Sequence, residues 1–328
     1  MQAAIVDSQG APFRLATVAR PTPAANQALV RIHASGVNPL DIKIHEGAAA
    51  HARHPLPAIL GLDLAGTIEA VGDQVTHLRV GDQVYGMTGG VGGNQGSLAE
   101  YAAVDAALLA RKPTILSMRQ AAALPLISIT AWEGLVDRAR VSPGQAVLIH
   151  GGAGGIGHVA VQIARHFGAT VFATGSAASR PAIEALGAGF IDYRLESASD
   201  YVKRLTDGQG FDIVFDTVGG ATLDAAFASV RRYGHVVSAL GWGTHALAPL
   251  SFRGATYSGV FTLLPLITGD GRAHHGDILA QVARLADVGA LVPTLDPRRF
   301  TLATADDAHM AIKNGSAQGK IVIDIAAG

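Results

Sequence analysis

The stretch Ala146-Val-Leu-Ile-His150-Gly-Gly152-Ala-Gly154-Gly155-Ile156-Gly157-His-Val-Ala-Val-Gln-Ile-Ala-Arg165 constrains the fold more than any other: a buried strand runs through a glycine turn directly into a helix. Gly152, Gly154 and Gly157 match the spacing of a dinucleotide fingerprint. The first permits a tight turn, the second lets a pyrophosphate approach the backbone, and the third lets helix and strand pack closely. At the helix start, Gly155 and Ile156 are further candidate phosphate contacts, because free N–H groups and the helix dipole favour anions there. A flexible turn would explain an isolated glycine triplet. The strand before, the helix after and a second strand beyond it favour the binding unit.

The rest of the chain supplies that context. With 328 residues, almost half of them apolar, there is enough chain for two compact units with aliphatic cores. The pattern changes near residue 120. Before it, short runs at Ala28 to His33, Gly66 to Val71 and Gln83 to Gly86 are separated by Gly, Pro and Asp, which predicts an irregular β-rich domain. From Arg119 to about Leu263, apolar runs at Ala146 to His150, Thr170 to Thr174, Asp212 to Asp216 and His235 to Ala239 alternate with helix-length segments. This predicts an α/β fold with a doubly wound parallel sheet. A periodic helix at Asp277 to Asp287, a segment at Ala303 to Lys313 and a final strand at Lys320 to Ile325 follow.

The end of the second strand should write the choice of cofactor. An NAD-preferring site places Asp or Glu about 20 residues beyond the fingerprint. Val171-Phe-Ala-Thr174-Gly175-Ser176-Ala-Ala-Ser179-Arg180 contains no carboxylate. Gly175 and Ser176 leave room for a 2′-phosphate and Arg180 offers a guanidinium fork for it, so NADPH is expected. The alternative for Arg180 is a solvated residue in a first helical turn.

A formal net charge of −1 and the lack of a Lys/Arg run argue against nucleic-acid or anionic-membrane partners. No cysteine is present, which removes disulfides, thiolate zinc sites and cysteine nucleophiles and fits a reducing cytosol. The start Met1-Gln2-Ala3-Ala4-Ile5-Val6-Asp7 carries no signal-peptide pattern, and no apolar stretch reaches the roughly 20 residues of a membrane span. The expected location is cytoplasmic.

Several ordered motifs together resemble the medium-chain dehydrogenase/reductase superfamily, in its zinc-free NADPH:quinone oxidoreductase and alkenal reductase branch. They are Ala34-Ser-Gly36-Val37-Asn38-Pro39-Leu-Asp41, Gly61-Leu-Asp63-Leu-Ala-Gly66, Val80-Gly81-Asp82-Gln-Val84, Gly96-Ser-Leu-Ala-Glu100-Tyr101, Thr130-Ala131-Trp-Glu-Gly134, the glycine turn, and the closing Gly319-Lys320-Ile-Val-Ile. The resemblance implies a GroES-like catalytic domain over residues 1–122 and 264–328 and an NADPH-binding Rossmann domain over 123–263, with the cofactor in the cleft between them. It also implies nicotinamide contacts from Thr130 and Phe261, an adenosine 2′-phosphate contact from Tyr193, and cofactor contacts from Leu240 and Gly241; each has packing as its alternative. A homodimer through the sheet edge near Val236 to Leu247 is implied as well.

Zinc-containing relatives, by the same resemblance, carry Cys where Asn38 stands and His-Glu where Leu62-Asp63 stands. Asn, Leu and Asp do not make a Cys/His zinc site, so no metal is expected. His51/His54 and His274/His275 fall on expected loops without convergent ligands. The implied activity is hydride transfer from NADPH to a quinone or other α,β-unsaturated carbonyl, where charge pushed onto the acceptor's oxygen needs only hydrogen-bond donors.

Asn38 and Lys43 are the candidate catalytic residues: Asn38 offers an amide near the nicotinamide, and Lys43 stabilises the oxyanion or positions the cofactor. Many quinone reductases of the family carry Tyr at the Lys43 position, whereas alkenal-reductase-like members often carry Lys. The alternatives are a turn-holding Asn38 and a solvated Lys43. Asp63, Asp82 and Glu100 read as loop-tying carboxylates with no like-charge partner. Two other functions stay open, a non-catalytic NADPH-binding sensor or structural protein and an enoyl-thioester reductase.

Overall fold

The computed structural model describes residues 1–325. They form two compact units, one of Met1–Ile129 together with the chain from Thr262 onward, and one of Thr130–Phe261.

The Thr130–Phe261 unit is built on six parallel strands in the spatial order Gly189–Asp192, Thr170–Gly175, Ala146–His150, Phe211–Asp216, Val230–Ser238, Thr256–Gly259. Chain order runs outward in both directions from Ala146–His150, which makes the sheet doubly wound and puts its switch point between that strand and Phe211–Asp216. Val147, Leu148 and Ile149 are all fully buried. A strand covered on both faces needs an unbroken apolar run of this kind. Leu148, Val214 and Val236 pack with Phe211, Leu223 and Phe227 in the core of this unit.

The other unit is β-rich, as its short turn-bounded runs predict. A seven-stranded sheet contains Gln27–Gly36, Asp63–Val71, Gln83–Met87, Tyr101–Asp105, Leu109–Arg111, Phe300–Thr301 and Val322–Asp324; Gln2–Val6, Arg14–Thr17 and Ala58–Ile59 make a smaller one. Its core gathers Val30, Ile32, Leu64, Ile68, Val84 and Val104. The strand Val322–Asp324 pairs antiparallel with Gln27–Gly36, so late residues are built into the sheet of the early ones.

Three expectations need correction. Val236 to Leu247 is not an edge, because Val230–Ser238 is paired on both sides and Thr256–Gly259 is the outer strand. The helix expected at Asp277 begins at Arg272, after Gly271 at φ 81°; its first turns carry little apolar signal, so the period became visible only further on. His274 and His275 consequently lie on that helix and not on a loop, with His275 buried.

Candidate active site

The turn after Ala146–His150 shows which glycines the fold itself requires. Gly151 holds the left-handed conformation at φ 75°, one residue before the glycine expected to make the tight turn. A Cβ at Gly152 would lie 2.4 Å from the Ala173 Cβ, and one at Gly157 would lie 2.1 Å from the Gly151 carbonyl oxygen. Close packing therefore explains both. Gly154 differs: a Cβ there would meet only the Gly151 oxygen, at 3.1 Å. Its backbone, at φ −74° and ψ 175°, is open to any residue. The space beside Gly154 thus lies at the N-terminus of the 12-residue helix Gly155–His166, whose first N–H groups have no intrahelical partners. A pyrophosphate fits these residues.

Neighbouring strands hold the turn rigid. Gly151 N donates to Thr174 Oγ1 at 3.1 Å, and Gly152 N donates to the Thr174 carbonyl oxygen at 3.0 Å. Across the switch point, Thr217 Oγ1 donates to the His150 carbonyl oxygen at 2.6 Å. The buried Asp216 carboxylate accepts from Val218 N, Gly219 N and Ser238 Oγ, ordering the adjacent loop. Sequence reading missed Asp216, although its place at a strand end before Thr217-Val218-Gly219-Gly220 was a usable signal.

Apart from Thr130, the remaining nucleotide-side candidates follow the carboxyl ends of this one parallel sheet. Tyr193 N donates to the Gly175 carbonyl oxygen at 3.3 Å, which sets the two beside each other. Gly175 is crowded by its own fold, since a Cβ would fall 2.3 Å from Ser179 Oγ. Ser176 precedes a short 3-10 turn, Ala177–Ser179. Arg180 is exposed, lies over the Phe190 ring at 4.6 Å, and faces Glu184 at 3.8 Å. Arg194, not singled out from sequence, lies over the Tyr193 ring at 5.7 Å and adds a second guanidinium. Asp192 is buried and its carboxylate accepts from Arg194 N, so it serves the turn. Leu240 N donates back to Ser238 Oγ, with Gly241 exposed next to it. Phe261 stands edge-on to Trp242 at 6.3 Å. Thr130 is buried in the helix Pro125–Trp132.

In the other unit, Asn38 caps the short helix Pro39–His45, which carries Lys43 exposed. Asn38 itself is 0% exposed and both ends of its amide are engaged. Nδ2 donates to Asp63 Oδ2 at 2.9 Å, and Oδ1 accepts from the buried Lys320 ammonium. That geometry supports the turn-holding reading of Asn38 over direct contact with an acceptor. Asp63 Oδ1 accepts from Leu126 N at 3.0 Å; Asp41 accepts from Asn38 N at 2.8 Å and Leu62 N at 3.1 Å. Asp82 accepts from Arg79 N and Arg111, and Glu100 from Gln2 N, so these carboxylates do tie loops.

The expectation that Asp63 has no like-charge partner fails, because Asp41 stands close enough to be one. Burial pushes Asp41 up to about 7, with the Asp63 charge adding to the shift, and pushes Asp63 up to about 6. Burial also lowers Lys320, against the opposing pull of Asp63 and Asp41.

Residues 24–114 match the alcohol dehydrogenase GroES-like domain, and residues 186–323 match the zinc-binding dehydrogenase family. A tomato (Solanum lycopersicum) 2-methylene-furan-3-one reductase is 37% identical over 93% of this chain and 74% of its own length. An NADPH-dependent alkenal/one oxidoreductase of Arabidopsis thaliana, described as chloroplastic, is 35% identical over 91% of this chain and 72% of its own. The crystal structure of an alcohol dehydrogenase superfamily protein from Novosphingobium aromaticivorans superimposes with a TM-score of 0.98 at 56% identity, covering 99% of this chain and 100% of that one.

Zinc, which the second family description implies, does not suit the residues present. Where the resemblance places a zinc ligand, Asn38 contacts an ammonium, whose charge repels a metal cation. Among the described residues no group of three or more His, Cys, Asp or Glu side chains is placed to hold a metal, and no helix is long and apolar enough to cross a membrane.

Proposed function

Because the chain belongs to the zinc-free quinone and alkenal reductase branch of the medium-chain dehydrogenases/reductases, we propose that this oxidoreductase reduces 2-alkenals and enones, and quinones as secondary acceptors, with NADPH as its reductant. The observation that carries the cofactor half is the space at Gly154, which the fold has no need to leave and a pyrophosphate would fill. The acceptor half is supported by the alkenal/one and methylene-furanone reductases that the chain resembles along most of its length.

When bound, NADPH supplies a hydride. The chain's own part begins with the helix Gly155–His166, whose N-terminal N–H groups and dipole bind the pyrophosphate. Arg180 and Tyr193, with Arg194 over the Tyr193 ring, bind the 2′-phosphate through charge-assisted hydrogen bonds. Thr130, Leu240, Gly241 and Phe261 are assigned to the nicotinamide side. Addition at the carbon β to a carbonyl moves the alkene electron pair toward oxygen, and the Lys43 ammonium is assigned to stabilise that enolate before the α-carbon takes a proton from solvent. A homodimer through the outer strand Thr256–Gly259 and a cytosolic location belong to the same proposal.

The test is NADPH oxidation with a 2-alkenal, a cyclic enone, a quinone, an enoyl thioester and a saturated ketone. Turnover should be fastest with the alkenal or enone and absent with the saturated ketone. Fastest turnover with the thioester would favour the enoyl-thioester reading, and tight NADPH binding without any turnover would favour a sensor.

A further inference from the structure

Two carboxylates and one ammonium share the interior around the Val37–Asn38 turn, and the amide of Asn38 lies between them. Asn38, Asp41, Asp63 and Lys320 are each 5% exposed or less. The Lys320 ammonium donates to the Val37 carbonyl oxygen at 2.8 Å and to Asn38 Oδ1. Its own backbone is pinned on both sides: Lys320 N donates to the Thr294 carbonyl oxygen at 2.8 Å, and Asp296 N donates to the Lys320 carbonyl oxygen at 3.0 Å. Val37 N donates to the Ile321 carbonyl oxygen at 2.9 Å, so backbone and side chain grip the same turn.

A buried charge costs more than an apolar side chain of similar length, and in some proteins such a group fixes a conformation that packing alone would leave free. Here the amide of Asn38 could face either way by shape. With an ammonium on one side and the Asp63 carboxylate on the other, only one orientation leaves no repulsion. Asn38 is also the N-cap residue of the helix Pro39–His45, and its backbone N donates to Asp41, which accepts from Leu62 N as well.

We propose that Lys320 is a positioning residue: its buried ammonium is a built-in cation that locks the Val37–Asn38 turn and, through it, the helix that carries Lys43. The structural half stands on the contacts above. The effect on turnover rests on the function proposed for Lys43.

Lys320→Met keeps the unbranched shape and most of the length and removes the charge. It should lower Tm by about 10 °C, since removing one member of a buried charge cluster strands the others. The kcat for a 2-alkenal should fall by about 10- to 100-fold, the range expected of a small misplacement, with NADPH affinity, read by nucleotide fluorescence, unchanged. Lys320→Ala should regain both Tm and kcat with added propylammonium and neither with propanol. In the double variant Lys320→Met/Asp63→Asn, the second change should cost less than it does alone. Should Lys320→Met fail to fold, recovery of the alanine variant's Tm and kcat by propylammonium and not by propanol still decides. Wild-type Tm and kcat in Lys320→Met, equal rescue by propanol, or additive effects with Asp63→Asn would overturn the proposal. A wild-type protein inactive on every acceptor would count against the proposed function alone, because the Tm and coupling measurements would still read the cluster.

Discussion

Gly154→Val should give a folded protein with affinity for NADPH and NADH lower by about 100-fold or more, whereas Gly157→Val should be strongly destabilised. The two glycines lie in one turn, yet a Cβ at Gly157 would stand 2.1 Å from the Gly151 carbonyl oxygen and 2.9 Å from the Gly152 Cα, both backbone atoms. Neither can yield without moving the turn, so the cost should reach about 3 kcal/mol or more, the upper range for overpacking a core. At Gly154 the single neighbour, 3.1 Å away, has to shift only a few tenths of an ångström. Valine's methyl groups would instead occupy the phosphate space. Losing two charge-assisted contacts of about 1.5–3 kcal/mol each weakens binding by about 100-fold or more. Isothermal titration reads the first effect and thermal melting the second. Full NADPH affinity in a folded Gly154→Val would remove the turn from the cofactor site.

Arg180→Glu should raise the NADPH KM by about 10- to 100-fold, as loss of a charge-assisted phosphate contact requires, while the NADH KM changes little. Stability should hardly move. The Arg180 side chain is 58% exposed and its ion pair with Glu184 spans 3.8 Å, a geometry that contributes little to folding. The stack on Phe190 fixes the direction in which the guanidinium points, which matters to a bidentate acceptor. Arg194 should preserve part of the preference for the phosphorylated cofactor, so the reversal is incomplete. Equal effects on both nicotinamides, measured as initial rates at saturating enone, would refute the phosphate assignment.

These two predictions concern the part of the molecule most legible in the sequence. A parallel sheet and its glycine turn are local patterns: Val147, Leu148 and Ile149 form a continuous apolar run, and the turn follows at once. The cluster around Asn38 was not legible. Its hydrogen bonds join residues 25 positions apart, Asn38 to Asp63, and 282 apart, Asn38 to Lys320, and no periodicity links them. Lys320 was visible only as one residue of a closing motif, with nothing to show that its ammonium would be buried. For the same reason Asp63 read as a solitary carboxylate, when a register set by Gly36 opposite Asp63 brings Asp41 close. Gly151 was passed over because the fingerprint directs attention to the next glycine, and only the dihedral angle shows where the chain turns. The sheet edge was misplaced because the short strand Thr256–Gly259 is mostly exposed and carries little apolar signal.

The transfer of a labelled hydride is the decisive observation. NADPH carrying deuterium at the transferable C4 position would be incubated with the protein and a 2-alkenal, and the product examined by NMR. Deuterium on the carbon β to the carbonyl of a saturated aldehyde is the result predicted here. Deuterium on the carbonyl carbon of an allylic alcohol, or an unlabelled product, would contradict it.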